Sequence, residues 1–453
     1  MSTETLPDKL SSPFVKLNHF LKTCEHSAKL SMIFMGAGQI KNKQYGKGIL
    51  LILAEIVLIL YFALMGVEDF IGLFTLGTIQ GDPVMGIEGD NSITMLIRGV
   101  ASIFVVAFTV FLYYENVKDA NNIAKRLSAG RPANNFKQSL QSLLDEKFYM
   151  VTLALPVVGV IIFNILPIIF TVLIAFTNYS GKVAPPVLVD WIGFGNFVTI
   201  FTDFDYFNTI VKIFGWNIVW AILSTFLSYF GGLCLALLIN KQCVKGKKLW
   251  RAFPILAYAV PGFITMIGFR YMFSGQGPIN WLIVKLWSES ARIDFLSPSS
   301  VGWARFVCLL VNTWVTIPSS MLLSTSVLSN MNKDMYEAAE IDGASAMKQF
   351  FALTLPFVLF ATMPIIITQF IGNFNNFGIS FFLRGGDTNG EQYFLANSTD
   401  LLINWLYNLA LGGGNKYYGI ASSVSILIFL ITGTFSLIAY IFSPSYKRED
   451  TYR

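Results

Sequence analysis

Glu337-Ala338-Ala339-Glu340-Ile341-Asp342-Gly343, followed after nine residues by Leu353-Thr354-Leu355-Pro356, is a polar break between two long apolar runs. Asp334 with Glu337 three residues on has the form of a capping box. Ala338, Ala339 and Ile341 continue a short helix, and Gly343 supplies the positive φ that ends it. Ser345 is placed to cap a second helix with an apolar face of Met347, Phe350, Phe351 and Leu355. Pro356 marks the entry to the next run. The expectation is helix–turn–helix lying across the ends of two spans. Small alanines let another surface come close, and Glu337, Glu340 and Asp342 offer carboxylates to a basic partner. An ordinary amphipathic connector has the same composition, so both readings stand at this point.

Working outward, the surroundings are apolar. Of 453 residues, 54% are hydrophobic and 13% charged, against about 25% charged in a soluble domain. Mean hydropathy is +0.59. A spanning helix needs about 20 mainly apolar residues. Eight segments qualify: 48–66, 96–113, 149–177, 212–239, 252–274, 303–328, 357–380 and 419–443. The fold class is therefore all-α, a polytopic membrane protein. Pro156 and Pro167 in the third span and Pro261 in the fifth predict kinks, which membrane helices tolerate when neighbours re-satisfy the freed carbonyls. The first long apolar run begins near Gly48, too late for a cleavable leader.

Charge placement sets orientation. Residues 1–47 carry seven lysines, 114–148 six Lys/Arg, 240–251 five and the tail three. With Lys333 and Lys348 in the hinge, one side collects 23 of the 32 cations, while 67–95 has none. Both termini and the hinge are expected in the cytoplasm. The organisation expected is a basic, partly amphipathic segment 1–47 at the bilayer surface, two accessory helices 48–113, a linker 114–148, a six-helix core 149–443 with the hinge loop at 330–356, and a tail 444–453. The external connection 381–418, rich in Gly, Asn and Asp, has the composition of a surface cap.

Chemistry is sparse. There is no Gly-x-x-x-x-Gly-Lys-Ser/Thr phosphate loop, so ATP binding and hydrolysis are not expected of this chain. Its two histidines, His19 and His26, lie in the amino-terminal segment, and Cys24, Cys234, Cys243 and Cys308 have no metal-type spacing. No metal site and no nucleic-acid partner are expected. Polar side chains do occur inside spans, where they are costly and face a bundle interior or a cavity. Gln369, Asn373 and Asn376 recur at i, i+4 and i+7, one helical face. Asn312, Thr316 and Ser319 do the same in the sixth span, and Tyr258, Pro261 and Gly262 mark a kink in the fifth. Amides, hydroxyls and an aromatic ring suit a neutral sugar; interhelical hydrogen bonding alone is the other reading. Glu55, in the first span, is either a paired structural carboxylate or a proton-coupling group. Arg270 reads as an interface or carboxylate anchor.

The spacing Glu-Ala-Ala, three residues, Gly, nine residues, an aliphatic residue, one residue, Leu-Pro resembles the EAA loop of ABC importer permeases, with Leu353 where isoleucine is usual. Tyr258-Ala259-Val260-Pro261, Val311-Asn312-Thr313-Trp314 and Asn373-Phe374-Asn375-Asn376-Phe377 are similar to stretches of the larger permease subunit of maltose/maltodextrin importers, and Met35-Gly36-Ala37-Gly38-Gln39 to Gram-positive relatives. The resemblance implies that Glu337, Ala338, Ala339, Gly343, Leu355 and Pro356 couple to a separate ATPase. It also implies that Tyr258, Gly262, Asn312, Val315, Thr316, Gly372, Asn373 and Asn376 contact the sugar. Gly262 and Gly372 stand where the family has a hydroxyl and an aromatic ring. The 178–211 connection is short, where Gram-negative relatives carry a large extra domain.

The expected function is a permease subunit importing oligosaccharides, maltodextrins foremost, in the plasma membrane of a Gram-positive bacterium. The implied partners are a second permease forming a heterodimer, two ATPase subunits that hold ATP and Mg²⁺, and an extracellular sugar-binding protein. No cofactor is expected on this chain. The alternatives are an ABC permease for raffinose-type sugars, multiple sugars or glycerol phosphate, and an ion-coupled secondary transporter.

Overall fold

The computed structural model describes residues 25–443 apart from 83, 134–135, 242, 386–391 and 413. Expectations for residues 1–24 and for the tail 444–453, including His19 and Cys24, lie outside the described residues. Among these the chain is helical, with three isolated β-bridges and no strand. Seven helices are long and apolar enough to cross a membrane, and an eighth if a bent pair is one span. The chain divides into two compact units, one within Met1–Leu173 with Val183–Asp190 and one comprising Ile174–Lys182 and Trp191–Arg453.

In the first unit, short helices α1 (His26–Ile33) and α2 (Ala37–Lys41) precede α3 (Tyr45–Thr75) and α4 (Ser92–Ser128). A buried polar knot holds them together. Asn116 of α4 donates through Nδ2 to Ser31 O at 2.8 Å and accepts from Gly36 N at 3.0 Å. Gln39 Nε2 donates to Asn116 O at 3.0 Å. Gly36 sits at φ +80, and a Cβ there or on Gly38 would strike backbone oxygens of Gly48 and Ser27. Glu55 accepts from Met35 N at 2.9 Å and from the Tyr113 hydroxyl. Each carboxylate oxygen thus has a donor, the arrangement of a paired structural carboxylate. Ser27, Ala28 and Met35 are buried while Ile33 and Phe34 remain exposed. Helix α5 (Phe136–Leu144) follows, then α6 (Phe148–Ile174).

The second unit contains α7 (Gly195–Thr202), α8 (Phe204–Asn240), α9 (Lys247–Ala259), α10 (Gly262–Met272), α11 (Pro278–Leu286), α12 (Val301–Ser329), α13 (Asp334–Ile341), α14 (Ala346–Phe374), α15 (Phe377–Arg384), α16 (Leu402–Leu411) and α17 (Tyr418–Ile441). Helix α8 is the central post. Gly232 lets α12 approach so closely that a Cβ there would lie 2.4 Å from Ser320 Cβ, the small-residue contact common between membrane helices. Its other side packs on α14.

Prolines act differently at different places. Pro167 and Pro356 each follow a π turn, Ile161–Ile165 and Phe350–Thr354. The wider turn takes up the carbonyl that a proline ring would clash with four residues back, so α6 and α14 run on. The second helix of the hinge therefore merges into the next span rather than stopping at Pro356. At Pro261 the chain does break: α9 and α10 meet at 89°.

Two expectations are corrected. The seventh span stops at Phe374, and Asn376 caps a separate helix α15 through its side chain at 3.3 Å from Ile379 N. Gln369, Asn373 and Asn376 thus do not share one continuous helical face. Within 381–418, the described residues from Ala396 to Leu409 are largely packed inward, where the composition suggested an exposed surface cap. Ala396, Leu402, Trp405 and Leu409 are buried, several completely, against Ile200, Tyr206 and Ile213, and Leu401 is buried against Trp216 and Trp220. Leu402, Trp405 and Leu409 recur on one face of α16, which draws the polar stretch before it inward. Asp400 finds partners there, accepting from Ser380 Oγ at 2.5 Å and from Asn397 N at 2.8 Å.

Candidate functional site

The hinge is anchored on one face and bare on the other. Lys333, not Asp334, holds the N-cap position of α13, and Asn332 Oδ1 accepts from Asp334 N at 3.0 Å. The capping box is therefore displaced: Asp334 lies inside the first turn with Glu337, where their charges meet the positive end of the helix dipole. Gly343 has φ +74 and ends α13 as expected. Ala344 N donates back to Ala339 O at 2.9 Å, closing the turn. Ser345 caps α14. The anchor is Tyr336, whose hydroxyl pairs with Thr354 Oγ1 at 2.7 Å, while its ring joins Tyr229, Leu233, Met331, Leu355 and Val358.

On the bare face Glu337, Ala338, Gly343 and Pro356 are exposed and Ala339 and Leu355 half-buried. Ile341 is 87% exposed and Met347 67%, with Met335 and Phe351 also open. Met335 and Ile341 lie in the polar break, and Met347 and Phe351 in the first turns of α14. Large apolar side chains left bare and rimmed by carboxylates mark a protein contact surface.

The second constellation lies where α14 breaks. Asn376 Nδ2 donates to Asn312 Oδ1 at 3.1 Å, Asn312 Nδ2 to Asn373 Oδ1 at 3.4 Å, and Asn373 Nδ2 to Thr225 Oγ1 at 3.0 Å. Four side chains on α8, α12, α14 and the start of α15 make one amide relay. Trp220 Nε1 donates to Asn373 O at 3.0 Å and Asn217 Nδ2 to Phe374 O at 2.9 Å. They satisfy carbonyls that the end of α14 leaves without helical partners. Thr316 Oγ1 meets Ser228 Oγ at 2.5 Å and Asn312 O at 2.7 Å.

The structure brings Asn312, Thr316, Asn373 and Asn376 together, but they are not equally open. Asn312 and Asn373 are 2% and 5% exposed with their amides engaged; Asn376, Thr316 and Val315 are half-buried. Tyr258 is exposed, Gly262 half-buried and Gly372 exposed, and a Cβ on either glycine would meet open space. Helix α9 lies on α12 and α10 on α15. Gly378 of α15 approaches Met266 of α10.

Asn217, Trp220 and Thr225 were not anticipated. The signal was present: Asn217, Ser224 and Ser228 recur at i, i+7 and i+11 along one face of α8, the same rule that exposed the stripe on α12. Arg270 is exposed, its guanidinium lying against Gly385, which at φ +91 carries no side chain to obstruct it. Among the described residues no cluster of His, Cys, Asp and Glu could hold a metal.

Residues 232–448, which include the hinge and the relay's α12, α14 and α15 members, match the family described as "Binding-protein-dependent transport system inner membrane component". The chain is 32% identical to the maltodextrin transport system permease protein MdxF of Bacillus subtilis (strain 168), over 96% of this chain and 99% of that one. It is 33% identical to the galactooligosaccharides transport system permease protein GanP of the same organism, over 93% and 98%. Among solved structures, a bacterial ABC transporter involved in import of the acidic polysaccharide alginate shares the fold, with TM-score 0.55, 21% identity, and coverage of 67% of this chain and 97% of that one. A likeness that runs through hinge and spans alike, nearly end to end, places this multi-pass chain in a family: it belongs to the inner membrane components of binding-protein-dependent transport systems, the permease subunits of ABC importers.

Proposed function

We propose that the chain imports maltodextrins as one half of a permease heterodimer. Both termini and the hinge face the cytoplasm of a Gram-positive cell, as the distribution of 23 of 32 cations supports. Two ATPase subunits bind ATP and Mg²⁺, and one of them takes the bare face of α13 and its carboxylates. An extracellular binding protein delivers the sugar. The observation that carries the reading is the hinge itself, whose exposed Ile341 and, in the first turn of α14, Met347 lie at the junction of the two helices, α12 and α14, that hold Asn312 and Asn373.

Movement of α13 reaches the relay through those two rigid helices. Asn312 lies 17 residues before Ser329, ~26 Å at 1.5 Å per residue. Tyr258 offers a ring face to a sugar, and Asn376 and Thr316 offer hydrogen-bond partners without charge. Val315, Gly262 and Gly372 leave room for its bulk. Asn312 and Asn373 position Asn376. The sugar shifts the equilibrium only by its differential affinity for the two states.

A second reading, galactooligosaccharide import, is favoured by the similar identity to GanP. Uptake of labelled maltodextrins against galactooligosaccharides, in cells lacking other importers and expressing the cognate partners, separates them. Preferred maltodextrin uptake is expected; preferred galactooligosaccharide uptake replaces the first reading by the second.

A further inference from the structure

The first unit contains a cavity of about 930 Å³ that the transport reading does not use. Its walls are α3, α4 and α5. At one end are Leu50 and Leu51, a turn into α3, and Leu112 of α4. At the other are Lys125, Arg126 and Arg131, the last tied to Arg126 O through its backbone N–H at 2.9 Å, and Lys147 also lines the cavity. Leu112 and Lys125 are 13 residues apart on one helix, ~20 Å, so the cavity is apolar at one end and cationic at the other. Helix α5 adds Phe136, Leu140 and Leu143 at i, i+4 and i+7, each at least 38% exposed. Its level is fixed by Gly46, where a Cβ would lie 3.2 Å from Phe136 Cβ, just ahead of the first span's apolar run. That is an amphipathic helix at the bilayer boundary.

The charges are unbalanced. Glu115 is taken by Lys118 at 2.9 Å and Asp119 by Lys47 at 3.6 Å. Lys125, Arg126, Arg131 and Lys147 form no ion pair among the described residues. A soluble anion would leave the leucines and Phe136 wet, and a neutral lipid would leave four cations without a counter-charge.

We propose that this cavity binds one anionic phospholipid, its phosphate among the four cations and an acyl chain along α3 and α5. Basic pockets between membrane helices recognise such headgroups. The inference rests on the basic side of the spans, not on the identity of the sugar.

The test is native mass spectrometry of the full chain in mild detergent, with phosphatidylglycerol or phosphatidylcholine of matched acyl chains. Retention of phosphatidylglycerol over phosphatidylcholine is expected. Arg126→Gln with Arg131→Gln should lower phosphatidylglycerol retention roughly 25-fold, about fivefold per cation, whereas Arg126→Lys with Arg131→Lys should keep most of it. Both arginines are exposed, so folding is not at stake, and sugar uptake is a separate readout. Equal retention of the two lipids, or unchanged retention in the glutamine variant, would overturn the proposal. So would full displacement by inorganic phosphate, or lipid retention that rises when residues 1–24 are removed, which would make the chain's own amino-terminal segment the occupant.

Discussion

The amide of Asn376 donates to the side-chain oxygen of Asn312 across 3.1 Å, joining the cap of α15 to the middle of α12. Asn312 passes the connection to Asn373 at the end of α14. The two helices that flank the hinge are therefore also tied where the far end of α14 meets the middle of α12, by a bond between amides. Such bonds are worth ~0.6 kcal/mol each within membranes. They fix geometry and can exchange partners at little cost, which suits a site that must open.

Asn376→Ala removes the half-buried, most open amide of the relay and leaves Asn312 and Asn373 paired. Sugar uptake should fall about tenfold or more, with membrane abundance of the complex unchanged. Stability should change by no more than ~1 kcal/mol. Unchanged uptake across a panel of sugars would mean that the relay is packing only.

Gly343 has φ +74, and its N–H donates to Glu340 O at 3.0 Å. Alanine there should cost about 1–2 kcal/mol locally and reduce transport partially. Proline demands φ near −65° and has no N–H, so Gly343→Pro should bring uptake to background while the spans still insert. Normal uptake in that variant would exclude the hinge as the coupling element.

Glu55 has two donors, Met35 N and the Tyr113 hydroxyl. Glu55→Gln keeps an acceptor for one of them and should retain at least half of transport. Glu55→Leu leaves the buried Met35 N and the half-buried Tyr113 hydroxyl unpaired, ~1–3 kcal/mol for the buried donor, and should lower the amount of folded protein. Loss of transport in Glu55→Gln with full assembly and sensitivity to a protonophore would instead point to proton coupling.

Asp400 lies outside the spans, and burial pushes its carboxyl above the ordinary value of 3.8, against the hydrogen bonds from Ser380 and Asn397 N and the charge of Arg384. A raised folded value means that the unfolded state gives up its proton first. The group's favourable contribution is complete below about pH 3.8 and is lost as pH rises through the folded value. Thermal stability of the detergent-purified protein should decline over that window, and Asp400→Asn should flatten the decline. An identical slope in the variant would assign the dependence elsewhere.

Much of this molecule was legible because the bilayer imposes a strong rule. Spans must be apolar and about 20 residues long, and Glu337–Gly343 with Leu355-Pro356 has a spacing that few other loops share. The ends of spans were harder. Pro261 breaks its helix while Pro167 and Pro356 are absorbed by π turns, and only the neighbouring backbone decides which. The break after Phe374 depends on Asn217 and Trp220, more than 150 residues away in sequence. Likewise, the inward course of 396–402 depends on Trp405 finding Tyr206 across the chain. Polar periodicity located Asn312 and Asn373 but not their burial, since an amide that binds ligand and one that binds another amide look alike in a string of letters.

The most direct test of the central claim, that sugar at the relay and ATP at the hinge are one coupled system, is ATPase activity of the co-purified complex with its cognate binding protein, across a panel of sugars. The chain alone should show none above background, and the complex should be stimulated by maltodextrins, with stimulation lost in both Gly343→Pro and Asn376→Ala. ATPase activity that is indifferent to every sugar, or that survives unchanged in both variants, would contradict it.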